Sequence, residues 1–438
     1  MSELLLQDFM DSEKVSSPLV KKASLRPSSD APLNKFQLRS RLAKTSWQGK
    51  IPAHQVRFCG IKAIPAQTKK ADGSWVPTGM PGEVQIHRYE VPGTKEGDEP
   101  TYKHGYYGMY HCGSALICPV CGPIIQARRS EEVVQGGIQL LKRGYQVGMV
   151  TQTASHHSRT SLYDFVLRFQ AAQRDLKSWR AYKKWKEQTG ARFTIRSVET
   201  TDDNPDWNGR KTGWHFHSHT LIFFDRPNAF SEEEAEKYTK IFQKLWVCAL
   251  NKVGLSGSLE RAAVFSLPRA TDALDRARKA SSDPAEDADV VRLCKYVAKA
   301  FSYEISTGAI KEGRDGDRRI NIWQLQHMAL TTHPHLLSRY GEYMRAMRGI
   351  SWLRWSQGLK DFCKISDISD QDIMRGKAGE LVYTLGEHGV AAIARFSFYK
   401  ELIEIADAAQ RDAPAAIDNA LFNVICGIDP KTGERLNE

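Results

Sequence analysis

Four cysteines in the first third of the chain have the spacing of a metal site. Cys118 and Cys121 form a C-x-x-C pair, Cys112 precedes Cys118 by six residues, and Cys59 lies further upstream. Two thiolates at C-x-x-C spacing can share one ion, and structural zinc takes four tetrahedral ligands of this type. The sequence therefore predicts a structural zinc site with Cys59, Cys112, Cys118 and Cys121 as ligands.

Two other interpretations of the cysteine cluster stay open at the level of sequence. His111 and His104 compete with Cys59 for the fourth zinc position, and without metal the thiols would be reduced cysteines of an ordinary core. A thioredoxin-like redox motif is disfavoured, because no parallel strand–helix unit surrounds the C-x-x-C pair.

A second group of metal-ligating residues alternates along one predicted strand. Within GWHFHSH, residues 213–219, His215, His217 and His219 occupy every second position. Alternate residues of a strand point to the same face, with neighbours roughly 6.5–7 Å apart. Two such imidazoles can hold one divalent cation and leave positions open for phosphate oxygen. Glu199, in the preceding predicted strand, could supply a carboxylate.

Tyr296 and Lys299 are the candidate catalytic pair. They lie three residues apart in the helical pattern of residues 287–305, so they share one helix face. A tyrosine hydroxyl near a metal-bound phosphate is an in-line nucleophile, and the neighbouring ammonium offsets the developing negative charge. The pattern is also typical of an ordinary amphipathic helix, but its place after the histidine strand favours catalysis. Tyr303, about two turns further on, is the competing nucleophile and lacks a following lysine.

Composition limits the class of protein. The 438 residues contain 62 Lys and Arg against 51 Asp and Glu, a net charge of +11 that favours polyanionic partners. The 41% of apolar residues can form the cores of two or three folded units. No apolar run is long enough to span a membrane, and the N-terminal sequence lacks the basic region of a secretory signal. We therefore expect a cytoplasmic protein with no membrane partner.

The elements that must position these residues follow from periodicity. Helices are predicted at residues 130–144, 161–190 and 231–250, with Ser231 as an N-cap and Gly190 ending one long helix, and strands at 145–154, 191–201 and 214–224. This order predicts an α+β fold, a mainly antiparallel sheet with helices on one face. Beyond about residue 330 the pattern is helical to the end, and Pro334 predicts a turn before a helix.

These motifs occur in the order seen in rolling-circle replication initiators of bacterial plasmids, members of the HUH endonuclease superfamily. The chain resembles them over roughly residues 55–365. The resemblance rests on RFCG (57–60), YHCGSALICPVCGPIIQARR (110–129), MVTQTASHH (149–157), RSVETT (196–201), GWHFHSHTLIFF (213–224), KYVAK (295–299) and RWSQGL (354–359). It implies a central antiparallel sheet that carries a histidine pair, with the nucleophilic tyrosine on a helix laid across it.

The resemblance also implies an activity, which is nicking one strand at an origin and joining it again. The family pattern G-W-H-P-H-x-H places the metal pair on His217 and His219, which with Glu199 would hold Mg²⁺ or Mn²⁺. It places the nucleophile on Tyr296, which would form a 5′-phosphotyrosine link while Lys299 steadies the phosphate.

Two positions depart from the family pattern. Ser218 replaces the usual hydrophobic residue between the paired histidines, so His215 stays open as a ligand. Arg292 stands where some relatives carry the glutamate that activates water in termination, and an arginine cannot act as that base.

The sequence thus predicts a plasmid replication initiator that acts on single-stranded or hairpin origin DNA, with host helicase and polymerase as further candidate partners. The predicted regions are a polar tail (1–35), an N-terminal zinc-binding region (36–130), an HUH nicking domain (131–330) and a helical C-terminal region (331–438). The alternatives are an HUH single-strand DNA transposase and a non-catalytic, zinc-containing DNA-binding regulator.

Overall fold

The structure is a computed structural model that describes residues 35–436 with internal gaps. The gaps are 61–62, 65–66, 70–74, 78–81, 92–99, 157–159, 204–212, 268–310, 313–317, 376–378 and 397. The predicted tail up to residue 34 and the predicted helix at 287–305 therefore lie outside the described residues.

Every strand pairing in the described chain is antiparallel. The strands are β1 (Gln67–Lys69), β2 (Trp75–Pro77), β3 (Val84–Val91), β4 (Thr101–Tyr107), β5 (Gln146–Gln152), β6 (Ala191–Asp203), β7 (Gly213–Phe224), β8 (Ala263–Ser266), β9 (Lys311–Glu312), β10 (Arg318–Asn321), β11 (Leu353–Trp355) and β12 (Glu380–Leu385).

Helices surround these strands. They are α1 (Lys35–Trp47), α2 (Cys121–Lys142), α3 (Leu162–Ser178), α4 (Arg180–Thr189), α5 (Glu232–Lys252), α6 (Leu259–Ala262), α7 (Ile322–Leu330), α8 (Leu337–Ala346), α9 (Leu359–Phe362), α10 (Asp370–Arg375), α11 (Glu387–Phe396), α12 (Tyr399–Ala409) and α13 (Ala413–Ile425), with 3₁₀ turns at Gln55–Phe58, Pro334–Leu336 and Gln410–Asp412. The predicted mixture of helices with antiparallel sheet is confirmed, and no described helix is long and apolar enough to cross a bilayer.

The central sheet has the strand order β8–β5–β7–β6–β10–β9, and β11 also pairs with β6. Its longest ladder joins β6 and β7, two strands rich in aromatic and β-branched residues. In this register Glu199 lies directly opposite His217, and Ser197 lies opposite His219. The predicted strands at 191–201 and 214–224 are thus confirmed and set side by side.

Helices pack on both faces of this sheet, not on one face as predicted. On one face Phe216 contacts Phe165 and Phe169 of α3. On the histidine face, Leu141 of α2 packs on Val147, and Phe362 of α9 lies 4.9 Å from Phe193, centroid to centroid. The prediction was wrong because the apolar residues Leu221 and Phe223 continue the histidine face beyond the histidines and require a cover of their own.

The predicted single helix over 161–190 is two helices. Trp179 has an extended backbone, with φ −70° and ψ 137°, and ends α3 while it precedes α4. The break lets α4 change direction so that Trp185 is buried against Tyr182 and Phe242. Both predicted caps are confirmed, since Gly190 is left-handed and Ser231 forms a capping box.

The C-terminal part was predicted to be helical throughout, and this prediction was wrong, because the segment also supplies two strands. Strand β11 extends the central sheet along β6, and β12 pairs with β3 in a second sheet of order β12–β3–β4. Helices α11, α12 and α13 pack on that sheet and form a separate hydrophobic core. This core includes Ile86, Ile393, Leu402 and Ile417. The division into regions at residues 130 and 330 stays a prediction. The turn predicted at Pro334 is confirmed.

Candidate metal centres

One candidate metal centre is formed by Glu199, His217 and His219. One ligand atom from each lies within 4.8 Å of the others. The Nε2 atom of His217 lies 2.9 Å from Oε2 of Glu199, and Nε2 of His219 lies 3.3 Å from the same oxygen. Glu199 of β6 faces His217 of β7, and His219 lies two residues further along β7 on the same face, so the sheet register itself brings the three side chains together.

This centre is open to solvent on part of its surface. The side chains of Glu199, His217 and His219 are 18%, 10% and 16% exposed. Two imidazole nitrogens and one carboxylate oxygen suit a divalent cation, and three protein ligands leave coordination positions for a substrate oxygen. The residues therefore fit a catalytic cation better than a closed structural site.

Thr151 of β5 orients one of these histidines. Its Oγ1 lies 2.9 Å from Nδ1 of His219, directly across the β5–β7 ladder. A hydrogen bond on Nδ1 fixes the ring orientation and leaves Nε2 for the metal. Sequence reasoning missed Thr151, because only the register of β5 against β7 shows that it shares the face of the histidine.

His215, the alternative ligand, does not belong to the group of closely spaced donors. Its ring centroid lies 4.9 Å from that of His217 and 5.0 Å from that of His156. The structure therefore brings Glu199, His217 and His219 together and leaves His215 beside His156 at the end of the row.

The serine at position 218, where the family pattern has a hydrophobic residue, has a physical explanation. Ser218 is buried on the opposite face of β7, where its hydroxyl accepts a hydrogen bond of 2.8 Å from Nε2 of Gln173 in α3. The same amide also donates to Gln152, and its oxygen accepts from Arg196. Because buried polar groups need partners, a hydrophobic residue here would leave the Gln173 amide with fewer acceptors.

The second candidate centre consists of the four predicted cysteines. The Sγ atom of Cys59 lies 3.7 Å from that of Cys118 and 3.6 Å from that of Cys121, and Cys112 lies 3.8 Å from Cys121. Ligands at about 2.3 Å from a tetrahedral zinc ion are about 3.8 Å apart. The sulfur positions therefore match a zinc tetrahedron.

The protonation of these thiols also favours a cation. The pKa of Cys59 is lowered by hydrogen bonds from the other three sulfurs, and that of Cys121 is lowered to about 6 by hydrogen bonds from Cys112 and Cys118. The pKa values of Cys112 and Cys118 are raised, for Cys112 mainly by its neighbours and for Cys118 mainly by burial. Four thiolates in one buried cluster repel one another, so a bound cation would stabilise the full set.

The two histidines that competed for the fourth position lie outside the tetrahedron. His104 is held on β4 by Asp407, whose Oδ1 lies 3.1 Å from its Nδ1. His111 is near the cluster. Burial opposes its charge, but hydrogen bonds to Cys121 and Cys59 raise its pKa to about 9. A cationic His111 would therefore support the thiolates from outside the ligand set.

The predicted catalytic pair, Tyr296 and Lys299, lies in the segment 268–310 outside the described residues. Arg292 and Tyr303 lie in the same segment. Their roles stay predictions.

A cluster of cations occupies the sheet face opposite the histidines. Arg354 of β11 lies directly across from Arg196 of β6. Burial and the nearby charge of Arg354 lower the pKa of Arg196 to about 10. The pKa of Lys177 is also lowered, first by burial and then by the positive charges of Arg196, Arg354 and Lys186. Mutual repulsion in such a group is relieved by an anion. Sequence analysis missed it, because Arg354 is more than 150 residues from the other three cations and joins them only through the pairing of β11 with β6.

The chain is similar to two curated proteins of Streptomyces. "Protein rep" of Streptomyces lividans is 23% identical over 389 residues, which cover 74% of this chain and 81% of that protein. "Neomycin resistance protein" of Streptomyces cyanogenus is 27% identical over 133 residues, or 26% of this chain and 30% of that protein. No protein-family model matches the chain, and no solved structure matches it.

Proposed function

We propose that the protein is a rolling-circle plasmid replication initiator that nicks and rejoins one DNA strand. The observation that carries this proposal is the open group of Glu199, His217 and His219 on two paired strands. The similarity to Protein rep over 74% of the chain supports a role in replication. That similarity spans most of both proteins, whereas the match to the resistance protein covers only 26% of this chain.

Glu199, His217 and His219 would hold Mg²⁺ or Mn²⁺. The bound cation would supply Lewis-acid polarisation of the scissile phosphate. The chain itself supplies the geometry, since Glu199 and His217 face each other across the ladder and Thr151 fixes the ring of His219. A pre-oriented set of donors lowers the reorganisation needed in the transition state.

Tyr296 is the proposed nucleophile. Its oxygen would attack the phosphorus in line and lose its proton, the P–O3′ bond would break, and the departing 3′-oxygen would take up a proton. One phosphodiester is exchanged for a phosphotyrosine diester, so the strand can be joined again without a nucleotide cofactor. Lys299, one turn further on, would offset the charge on the phosphate.

The cysteine cluster would hold structural zinc. All four thiols are buried and the set is closed, so no position is left for a substrate. Cys59 would thereby be fixed to the start of α2, where Cys121 is the first residue.

Binding of origin DNA, single-stranded or in a hairpin, would rest on the basic surface. The net charge of +11 and the cluster of Lys177, Lys186, Arg196 and Arg354 favour the phosphate backbone. Host helicase and polymerase would act on the strand that the nick releases.

One experiment tests the proposal directly. The protein is incubated with labelled single-stranded origin DNA and Mn²⁺, and the products are separated on a denaturing gel. We expect a covalent protein–DNA adduct that requires the cation and that is lost when His217 and His219 are both replaced by Ala. DNA binding without an adduct would favour a non-catalytic regulator instead.

A single-strand transposase would form the same adduct. DNA sequence around the gene separates the two functions, because a replication initiator requires an origin beside it whereas a transposase requires mobile-element ends. Cleavage only at mobile-element ends would contradict the proposed replication role.

A further inference from the structure

A cavity of about 530 Å³ lies two strands away from Glu199, His217 and His219, which are called the Glu199 group below. Its volume is within the range of about 300–1,000 Å³ for small-molecule sites. One wall is the loop at residues 113–117, between Cys112 and Cys118, and another is the segment 347–355 that contains β11. The remaining lining consists of His54, Arg129 of α2, Lys360, Asp367 and Asp370.

The cavity lies on the histidine face of the sheet. Leu353, which lines it, is opposite Ser197, and Ser197 is opposite His219 in the next ladder. The three residues are thus neighbours across three strands on one face. Two strand spacings put Leu353 roughly 10 Å from His219. An extended single strand covers that distance in one or two nucleotides, so a strand bound at Glu199 is long enough to enter the cavity.

Trp355 gives the cavity an aromatic group. It lines the cavity together with the buried Trp352, and the ammonium of Lys360 lies 5.8 Å from the Trp355 ring. The Nε1 of Trp355 is buried and has no acceptor among the described residues. Indole rings stack on any base, and a buried N–H without an acceptor favours a ligand that supplies one.

The charged groups of the lining are paired, with one exception. Arg129 bonds to Glu132 and Asp370, and Lys360 bonds to Glu132 and Asp367. Arg348 is exposed at the rim and makes no ion pair with the described residues. Paired Arg and Asp groups present both donors and acceptors to a base edge, and a spare guanidinium suits a phosphate.

The cysteine cluster would stiffen this cavity. The loop wall is anchored at both ends by candidate zinc ligands, and its carbonyl groups accept hydrogen bonds from elsewhere. Gln126 donates to the Ala115 carbonyl, Gln326 to that of Ile117, and Tyr343 to that of Leu116. A wall held in this way is pre-organised for a ligand.

We infer that this cavity binds one unpaired nucleotide of single-stranded DNA close to the scissile phosphate, with the base at Trp355 and the phosphate at Arg348. The inference rests on the proposed function and adds to it the place where the enzyme distinguishes one base from another. A free nucleotide has the same chemistry, so the test includes one.

The test measures base preference in binding, without divalent cation, so that no cleavage occurs. Fluorescein-labelled 12-mers of dA, dC and dT are titrated with the full-length zinc-loaded protein, and affinity is read from anisotropy. We expect the protein to bind one homopolymer with at least about fivefold higher affinity than another, a difference that contacts to base edges can produce. Ser114→Trp, which places an indole ring in the cavity and obstructs it, should reduce this difference in affinity below about twofold.

Arg348→Glu provides a second variant at an exposed position, where folding is not at risk. It is compared with Arg345→Glu, which makes the same charge change three residues earlier, outside the cavity lining. We expect Arg348→Glu to weaken the preferred 12-mer about fivefold more than Arg345→Glu does, because only Arg348 would contact the bound phosphate.

Several results would overturn the inference. The first is equal affinity of the wild type for all 12-mers, and the second is an unchanged difference in affinity between the 12-mers in folded Ser114→Trp. The third is an equal loss of affinity in Arg348→Glu and Arg345→Glu. The fourth is displacement of the 12-mer by deoxynucleoside monophosphates at comparable concentration. Equal affinities for all 12-mers together with intact Mn²⁺-dependent cleavage would contradict nucleotide binding in the cavity but not the proposed function. Failure to bind any 12-mer would contradict the proposed function as well.

Discussion

The cysteine cluster and the Glu199 group are both candidate metal centres, but their surroundings differ. The four cysteines are at most 6% exposed, and their sulfurs form a closed tetrahedron. Within the described part of the chain, the Glu199 group supplies three donors, whose side chains are 10–18% exposed. A closed set of four ligands stabilises a fold, whereas three ligands at an accessible surface leave room for a substrate.

The two centres also differ in how the chain assembles them. The Glu199 group forms within one β-ladder, where Glu199 of β6 faces His217 of β7 and His219 lies two residues further along β7. The cysteine centre joins Cys59 to residues some 60 positions away, at the start of α2. We therefore expect loss of the first to affect chemistry and loss of the second to affect folding.

The largest expected effect is that of Cys118→Ser on stability. Binding of structural zinc contributes about 10 kcal/mol or more to folding, so loss of a ligand should leave the protein largely insoluble or lower its melting temperature steeply. Zinc content and thermal unfolding measure this. Cys363→Ser, a buried cysteine outside the cluster, is the control and should retain about one zinc per chain. Purified wild-type protein without zinc would contradict the structural role.

The double variant with His217→Ala and His219→Ala should lose cleavage by about three orders of magnitude or more, since several kcal/mol of transition-state stabilisation disappear. DNA affinity should change little, because most of it comes from phosphate contacts. Gel-based cleavage and anisotropy measure the two quantities. Wild-type cleavage by this variant would show that the ladder carries no metal site.

Thr151→Val should have an intermediate effect. It removes the hydroxyl next to Nδ1 of His219 while keeping the shape of the side chain. Loss of such an orienting partner costs about 10–100-fold in metal affinity, so cleavage should need a higher Mn²⁺ concentration and should recover at saturation. Thr153→Val is the control, since the hydroxyl of Thr153 has no partner in the described chain. Identical Mn²⁺ titrations of both variants would contradict the orienting role.

The smallest expected effect is that of charge reversal in the cation cluster on DNA affinity. Lys177→Glu combined with Arg354→Glu should weaken DNA binding about tenfold and reduce the slope of log affinity against log salt by about 1 to 2. Lys240→Glu, on the exposed surface of α5 and next to Glu236, is the control. An unchanged salt slope would place the DNA on another surface.

Sequence patterns predicted the parts of this structure that depend on local periodicity. The strands that carry Glu199 and the histidines, the N-cap at Ser231 and the end of a helix at Gly190 are all local signals. The spacing of the cysteines also restricted the ligand sets to a few, although only the structure shows Cys59 beside the C-x-x-C pair.

Features that depend on distant segments could not be predicted. Strands β11 and β12 are short and lie among helices, and they form because β6 and β3 offer free edges. The break at Trp179 is set by the packing of Trp185 in a distant core. Thr151 lies next to His219 only through the register of β5 against β7, which a single strand does not specify.

The most direct measurement of the central claim is the position of the covalent bond to DNA. After reaction with single-stranded origin DNA and Mn²⁺, the adduct is digested and the modified peptide is identified by mass spectrometry. We expect attachment at Tyr296, loss of nicking and of the adduct in Tyr296→Phe, and retention of both in Tyr303→Phe. Attachment at Tyr303, or at any residue outside 295–299, would contradict it.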